Sequence, residues 1–246
     1  MKKPKFLNWR TMFFLLIAPM VSFTACNDDD TDATPERAKV LVVHASPSAP
    51  GVDLLVDNTK VNTAALTFPN NTGYLDVNAG ARNFKVNVTG TSTTAIEATP
   101  TLVANKNYSV FAINAEANNS GTTFEPLLLE DNLTTPASGQ AHVRFIHLSP
   151  DAPAVDIVNV TGGANTILIP NRAYKSATDF IPLPAGTYDL AVRVAGTQTT
   201  ALSLPGVTLE AGKILTVFAR GFLNPPAGNT NTLGAQIIDN TAAAGQ

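Results

Sequence analysis

The sequence has little of several residue types on which common functions depend. It contains one cysteine, Cys26, so a disulfide within the chain is impossible, and its single tryptophan, Trp9, lies among the first ten residues. Charged residues make up 14% of the chain, against roughly 25% in an average globular domain. Because the net charge is −3 and no basic patch is present, we expect no nucleic-acid partner.

The N-terminus has the parts of an export signal in their usual order. Residues 1–10 carry four basic side chains, and residues 11–23 form an apolar run that is shorter than the ~20 residues a membrane-spanning helix needs. The segment Phe23-Thr-Ala-Cys26 resembles the bacterial lipobox, in which the cysteine sulfur is lipidated after cleavage. We therefore predict a signal peptide over residues 1–25 and lipidation of Cys26, with an ordinary secretory signal as the alternative.

An acidic stretch follows the predicted lipidation site. Residues 27–32 read Asn-Asp-Asp-Asp-Thr-Asp and lack the central glycine and terminal glutamate of an EF-hand loop. We interpret residues 26–37 as a flexible acidic tether. An acidic run at this place resembles the export signal of bacterial surface lipoproteins. The expected location is the outer membrane, with the lipid anchor as the membrane contact and surface exposure left open.

The rest of the chain contains one motif twice. Residues 40–53 and 143–156 align without a gap and share His-x-Ser-Pro-x-Ala-Pro-x-Val-Asp. Further matches join residues 78–88 to 184–194, residues 102–112 to 209–219, and Asp131-Asn132 to Asp239-Asn240. The spacing predicts two tandem domains, residues 38–133 and 141–241, joined by a linker over residues 134–140.

Alternation of apolar and polar residues predicts strands in both copies. Phe84, Val86 and Val88 alternate with polar residues, and Leu190, Val192 and Val194 occupy the matching stretch. About seven short strands separated by turn residues in ~100 residues indicate an all-β fold with two immunoglobulin-like β-sandwich (Greek-key) domains. The strand topology does not follow from the pattern.

The repeated stretches resemble the family called domain of unknown function 4397. The resemblance rests on the His-x-Ser-Pro-x-Ala-Pro-x-Val-Asp motif in both copies, on the Ala-Gly turn before a valine-rich strand, and on Ala-Gly-Lys at residues 211–213. Copy one departs from the pattern at Asn105, where Gly is preferred. The resemblance implies an exported, often tandem β-domain and implies no activity.

Three residues of the motif raise the possibility of a catalytic triad. They are His44, Ser46 and Asp53 in copy one, and His147, Ser149 and Asp156 in copy two. No Gly-x-Ser-x-Gly elbow and no glycine-rich oxyanion segment accompany them, and Ser-Pro-x-x-Pro has a plain use in turning the chain. We predict that these residues are structural, with the histidine at the edge of the core and Arg144 and His142 on the opposite, exposed face. One His and one Asp per copy are too few for a metal site, and we predict no cofactor.

A binding role is the remaining alternative. Tyr174, flanked by Arg172 and Lys175, lies in a loop that copy one is not expected to reproduce, and these three are the candidate ligand contacts. The favoured function is a non-catalytic, lipid-anchored envelope protein with a structural, adhesion or surface-complex role and an envelope protein or glycan as partner. The alternative is a glycan- or small-ligand-binding lipoprotein of a nutrient-uptake system. A hydrolase is the least favoured.

Overall fold

The computed structural model describes residues 35–117 and 123–243, which belong to one compact unit. The predicted signal peptide, the lipidation site Cys26 and tether residues 26–34 lie outside the described residues. No helix in the described part of the chain is long and apolar enough to cross a membrane.

Alternating residues of the first copy form ten strands in the described ranges. In chain order these are β1 (Arg37–His44), β2 (Val52–Val56), β3 (Thr59–Lys60), β4 (Asn71–Asn78), β5 (Gly80–Ala81), β6 (Phe84–Val88), β7 (Thr94–Ala98), β8 (Thr101–Leu102), β9 (Asn107–Asn114) and β10 (Phe124–Glu130).

The second copy repeats this succession with eight described strands and two short 3-10 helices. The strands are β11 (Gln140–His147), β12 (Val155–Asn159), β13 (Thr166–Arg172), β14 (Ile181–Pro184), β15 (Gly186–Val194), β16 (Thr200–Leu209), β17 (Ile214–Arg220) and β18 (Gly234–Asp239), and the helices are Thr161–Gly163 and Thr241–Ala243.

Both copies have the same sheet topology. In the first, the two four-stranded sheets have the orders β10-β9-β1-β4 and β3-β2-β6-β7, and in the second they have the orders β18-β17-β11-β14 and β13-β12-β15-β16. Strands β5 and β8 of copy one form a separate two-stranded sheet, whereas the equivalent residues of copy two belong to β15 and β16. The first strand of each copy runs parallel to a late strand, β1 to β9 and β11 to β17. The prediction of an all-β fold is confirmed, and the strands form several multi-stranded sheets. The first two strands lie in different sheets, whereas the immunoglobulin constant-type order keeps them together.

The two sheets of each copy enclose an apolar core. Val40 and Val42 of β1 pack with Leu54 of β2 and Val86 of β6, and Phe145 of β11 packs in the corresponding core of copy two. This is the face on which the sequence pattern placed the motif histidines. The period-two alternation therefore identifies the inner face of each sandwich.

The opposite face of β1 and β11 is also buried. Leu41 and Val43 form one cluster with Ile146 of β11, because the sheet containing β1 packs against the sheet containing β11. Arg144 is 2% exposed. The prediction that the face of Arg144 is exposed is wrong, since that face lies between the two copies.

Hydrogen bonds at the end of each copy correct one part of the repeat alignment. The Asp131 backbone N–H donates to the Asn107 carbonyl, and the Asn240 N–H donates to the Ile214 carbonyl. Asn107 and Ile214 occupy equivalent places beside the first strands. Asp131 therefore corresponds to Asn240 and not to Asp239.

Candidate functional site

The motif histidine is buried in both copies and bonds to the backbone of its own motif. His44 is 1% exposed and His147 is fully buried. The Nε2 atom of each ring lies 2.9 Å from a proline carbonyl oxygen, that of Pro50 in copy one and that of Pro153 in copy two. Because a carbonyl only accepts, Nε2 carries a proton in both rings. Each histidine thus ties the end of the first strand to the second proline of the motif.

The two rings differ at Nδ1. The Ser149 backbone N–H donates to His147 Nδ1 over 3.3 Å, whereas His44 Nδ1 is buried without a hydrogen-bond partner in the described residues. Burial lowers the pKa of both imidazoles below the ordinary value of 6.5, because the charged ring would lose its hydration. Both rings are therefore neutral at pH 7.

The hydroxyl groups of the motif serines donate hydrogen bonds to other groups than the histidines. Ser46 Oγ donates to Asn114 Oδ1 over 2.6 Å, and Ser149 Oγ donates to the Gly221 carbonyl over 2.7 Å. Both serines are buried. Since Asn114 ends β9 and Gly221 follows β17, each serine joins the motif to the same place in its own copy.

The motif aspartates have different contacts in the two copies. Asp53 pairs with Lys60 Nζ at 2.9 Å, and this contact holds the pKa of the Asp53 carboxyl below its usual value. Asp156 is buried and accepts the backbone N–H groups of Asn171 and Gly196, at 2.7 and 2.9 Å. Both carboxylates therefore connect the second strand of their copy to the neighbouring strand of the same sheet, Asp53 to β3 and Asp156 to β13.

These contacts differ from those of a Ser-His-Asp triad. A triad needs an accessible serine bonded to the histidine, and a carboxylate bonded to the other ring nitrogen. In both copies the serine is buried and donates elsewhere, and the hydrogen bond of Nε2 goes to a proline carbonyl. The geometry supports the structural interpretation of the motif.

An apolar cluster joins the two copies. Phe111 of β9 and Phe218 of β17 are fully buried and meet edge to face, with ring centroids 5.8 Å apart. Seven more buried residues complete the cluster: Leu41, Val43, Ala45, Ile113, Ile146, Leu148 and Ile238. Burial of such side chains is the main favourable contribution to association between domains.

A buried ion pair lies in the same interface. Arg144 Nη1 donates to Asp131 Oδ1 over 2.6 Å, and both side chains are at most 3% exposed. Asp131 Oδ2 also accepts hydrogen bonds from Ser109 Oγ at 2.6 Å and from Tyr74 Oη at 2.5 Å. Burial and the negative charge of Asp131 raise the pKa of the Tyr74 phenol.

Side chains of copy two close this network into a ring. Arg144 Nη2 donates to Thr216 Oγ1 at 3.0 Å, and Thr216 in turn donates to Asn240 Oδ1 at 2.8 Å. The Asn240 amide then donates to Tyr74 Oη over 2.8 Å. Such a satisfied network offsets the cost of burying the ion pair and requires one relative placement of the copies.

The predicted ligand contacts Tyr174 and Lys175 bond across the junction. Tyr174 Oη donates to the Asn114 carbonyl over 2.7 Å. Lys175 Nζ donates to the Ala115 carbonyl at 2.5 Å and pairs with Glu125 at 2.6 Å. Burial, with a smaller effect of the nearby Glu125 charge, raises the pKa of the Tyr174 phenol. The ligand-contact role of these residues stays a prediction.

Arg172, the third predicted contact, ends β13 and lies beside a shallow depression that Asp179 also lines. Its buried Nε has no hydrogen-bond partner in the described ranges. Copy one does reproduce the loop of Tyr174, against the sequence expectation. Phe68 stands edge-on to His44 as Tyr174 does to His147, both at 6.3 Å between centroids.

A polar cleft of about 440 Å³ opens where β10 of copy one approaches residues 177–180 of copy two. Glu130, His142 and Asp179 line it, beside the edge of Arg144. No group of three or more His, Cys, Asp or Glu residues that could hold a metal ion occurs in the described part of the chain. The carboxylates of Glu130 and Asp179 and the imidazole of His142 offer hydrogen-bonding groups to a small polar ligand there.

Two adjacent segments of the chain, residues 38–158 and 158–246, match one family model, described as Domain of unknown function (DUF4397). The chain belongs to the DUF4397 family. The match confirms the resemblance carried by the repeated motif. Comparison with curated proteins finds no match. The DUF4397 description assigns no activity, so the function has to be argued from the geometry.

The residues of the interface network carry no motif in the sequence of this DUF4397 chain. Asp131, Arg144 and Tyr74 belong to no catalytic pattern in the sequence. One signal was available: Val40–Val43 is apolar on both faces of a single strand, and a strand buried on both faces has such a continuous run. That run indicates a third layer against β1.

Proposed function

We propose that this protein is a lipid-anchored, non-catalytic protein of the cell envelope whose two copies act as one rigid module for adhesion or for assembly into a surface complex. The observation that carries the proposal is the buried interface, with its apolar cluster and the Asp131–Arg144 pair. Domains in one chain move relative to each other by default unless the interface between them is large and apolar. A module that bears load or displays a surface needs such an interface.

The anchoring part of the proposal is supported by the order of basic residues, apolar run and lipobox-like segment before Cys26. Several acyl chains would hold the protein firmly, since each buried CH2 contributes about 0.8 kcal/mol. The acidic tether would separate the compact unit from the membrane.

The first experiment tests the anchor. The full-length protein and a Cys26→Ser variant are produced in a bacterial host fed an alkyne fatty acid, and the membranes are fractionated. We expect label and outer-membrane location for the wild type, and loss of both for C26S. Equal membrane location of the two proteins without label would contradict the anchor. Cleavage by a protease added to intact cells decides whether the protein faces outward.

The second experiment tests the non-catalytic role. A fluorophosphonate probe, which reacts with activated serines, is applied to the wild type and to Ser46→Ala and Ser149→Ala variants. We expect no labelling above that of the variants, because both hydroxyls are buried and donate away from the histidines. Labelling that disappears with either serine would restore the hydrolase hypothesis.

A second candidate function, binding of a glycan or another small polar ligand, is favoured by the polar cleft. Asp179 and His142 offer hydrogen-bonding groups there, at the junction of the copies. Calorimetric titration with monosaccharides and oligosaccharides tests it, with Asp179→Ala as the cleft variant and Asp76→Ala, on β4 away from the cleft lining, as the control. Heat that depends on Asp179 and not on Asp76 would support this second function.

A further inference from the structure

Each copy contains an apolar cleft between its two sheets, beside the strands at one edge of the sandwich. In copy one the cleft lies next to β7 and β10 and has a volume of about 310 Å³. In copy two it lies next to β16 and β18 and has a volume of about 140 Å³. The same feature therefore occurs twice, with different sizes.

The two clefts occupy equivalent places in the duplicated fold. Strand register gives the correspondence, because matching residues pair with matching neighbours on each sheet. The lining positions that agree include Val42 with Phe145, Leu54 with Ile157, Val86 with Val192, Val110 with Val217, and Leu128 with Ile237.

The lining differs in both directions: Phe84 and Pro126 of copy one are larger than the equivalent Leu190 and Ala235, but two other positions of copy one are smaller. Val42 stands where copy two has Phe145, and Ala98 stands where copy two has Leu204. A phenyl ring and an isobutyl group in copy two thus line a place that copy one leaves open. Because hydrocarbon side chains occupy this place in copy two, we expect the open place in copy one to accept an uncharged hydrocarbon ligand.

The wall of the copy-one cleft agrees with this chemistry. Among the described residues its lining includes no charged side chain, and Thr99 is the one hydroxyl-bearing residue of that lining. Leu128 at the edge strand is 41% exposed, so the cleft reaches the surface. An apolar cavity of roughly 150 Å³ stays dry and binds benzene, and this cleft has about twice that volume.

We propose that the cleft of copy one binds a single uncharged alkyl chain, lying between the two sheets with its end at Leu128. This site goes beyond the proposed envelope role and does not depend on it. Open apolar walls lack the packing contacts that a close-packed interior has, and a bound chain would restore those contacts. The cleft of copy two, narrowed by Phe145 and Leu204, has a volume of about 140 Å³ against about 310 Å³ in copy one, so we expect it to bind an eight-carbon chain more weakly.

The test uses residues 27–246, which contain the whole compact unit, and n-octanol as the probe. Amide NMR spectra are recorded during a titration with octanol. We expect saturable shifts confined to the cleft strands of copy one, β7 and β10 among them, and one bound octanol per chain. Absence of saturable binding, or shifts on the strands of copy two alone, would overturn the proposal.

Matched variants come from the other copy. Ala98→Leu, and separately Val42→Phe, give copy one the residue that fills copy two, and each is expected to weaken octanol binding at least tenfold. Leu204→Ala is the reverse change, and it is expected to add a second octanol site in copy two. Two different filling variants keep the test valid where one fails to fold. Wild-type affinity in a folded Ala98→Leu protein would overturn the proposal.

A second arm distinguishes a free alkyl compound from the tail of a lipid. The same protein is mixed with dioleoylphosphatidylcholine vesicles and floated on a density gradient. Flotation that Ala98→Leu abolishes identifies a lipid tail as the ligand. Octanol binding without flotation identifies a free compound, and either result supports the site.

Discussion

Phe111 and Phe218 are equivalent residues of the two copies, and they contact each other across the interface at 5.8 Å between ring centroids. Phe111 lies beside Val43 in β1, and Phe218 lies beside Ile146 in β11. Contact between equivalent residues is the mark of an isologous, two-fold interface, as in a homodimer. The two copies therefore pack as the subunits of a symmetric dimer do, although one chain contains both.

The polar network departs from this symmetry. Arg144 corresponds to Leu41, and Asp131 corresponds to Asn240, so the charged pair has no counterpart on the other side of the approximate axis. Phe180 occupies the position in copy two that Tyr74 occupies in copy one. The Arg144 guanidinium carbon lies 4.5 Å from the centroid of the Phe180 ring. The asymmetric residues distinguish one packing of the copies from its reverse, which a fully symmetric apolar interface does not.

Removing one member of the buried ion pair should destabilise the protein strongly. We expect Arg144→Leu, which introduces the residue of copy one, to lower the free energy of unfolding by about 3–5 kcal/mol, because Asp131 keeps its charge without its guanidinium. Adding Asp131→Asn should recover most of this loss, because the uncharged amide, found in copy two at Asn240, leaves no unpaired buried charge. Urea unfolding of both single variants and the double variant measures the coupling.

The control for this cycle is an exposed ion pair of similar length. Lys213 and Asp239 approach to 2.7 Å, but both side chains are more than a third exposed. Lys213→Leu should therefore change the stability far less than Arg144→Leu does. If Lys213→Leu and Arg144→Leu unfolded at the same urea concentration, the buried ion pair would contribute no more to stability than the exposed one.

The sequence correctly predicted the burial of one face of β1 and β11 and not the burial of the opposite face. Val40, Val42 and His44 follow the alternation of a half-buried strand, and they line the inner core as expected. Arg144 on the opposite face indicated solvent, because a lone arginine is usually exposed. Its partner Asp131 follows β10, and no periodicity relates these two residues. Docking of two sheets depends on shape and charge of both surfaces, which one strand's pattern does not contain.

The structure of the repeated motif could also be predicted only in part from the sequence. Burial and the structural interpretation of the histidines follow from their place on the apolar face. Their hydrogen bonds to Pro50 and Pro153 carbonyls depend on how the Ser-Pro-x-x-Pro turn folds back, which residue types alone do not determine. The aspartates bond to neighbouring strands and not to the histidines: Asp53 pairs with Lys60 of β3, and Asp156 accepts the Asn171 backbone N–H of β13.

The phenol of Tyr174 should contribute to the junction between the copies. We expect Tyr174→Phe, which installs the residue found at Phe68, to lower the free energy of unfolding by about 1 kcal/mol, since the Asn114 carbonyl loses a donor. Tyr188→Phe is the control, because its hydroxyl bonds to the Pro184 carbonyl in an exposed contact within copy two. Equal stability of the two variants would count against a role of Tyr174 in joining the copies.

Gly221 should tolerate no side chain. Its φ of +77° lies in the left-handed region, and a Cβ there would stand 2.1 Å from the Thr232 carbonyl oxygen. Gly228 has a similar φ of +82° and no atom within 4 Å of its Cβ position. We expect Gly228→Ala to cost about 1–2 kcal/mol from backbone strain alone. Gly221→Ala should cost clearly more in chemical denaturation, because the backbone must also move, and a smaller cost would refute the close approach.

Burial of the two motif histidines should make stability depend on pH below the ordinary histidine pKa of 6.5. The pKa of both rings is lowered in the folded protein, so below the ordinary value of 6.5 the unfolded chain binds protons that the folded chain refuses. The histidine contribution is therefore complete above pH 6.5 and declines as the pH falls. Its slope is at most about 1.4 kcal/mol per pH unit for each ring.

Measurement of the free energy of unfolding at several pH values checks this expectation. His147→Gln should reduce the slope between pH 6.5 and 5, even where it lowers the stability overall, because one proton-binding difference is gone. The carboxylates paired on the surface, such as Asp53 with Lys60, have lowered pKa values and lose their contribution below about pH 4, outside this window. NMR titration of the His44 and His147 ring protons gives the folded-state pKa directly. A value at or above 6.5 for both rings would contradict their burial as neutral groups.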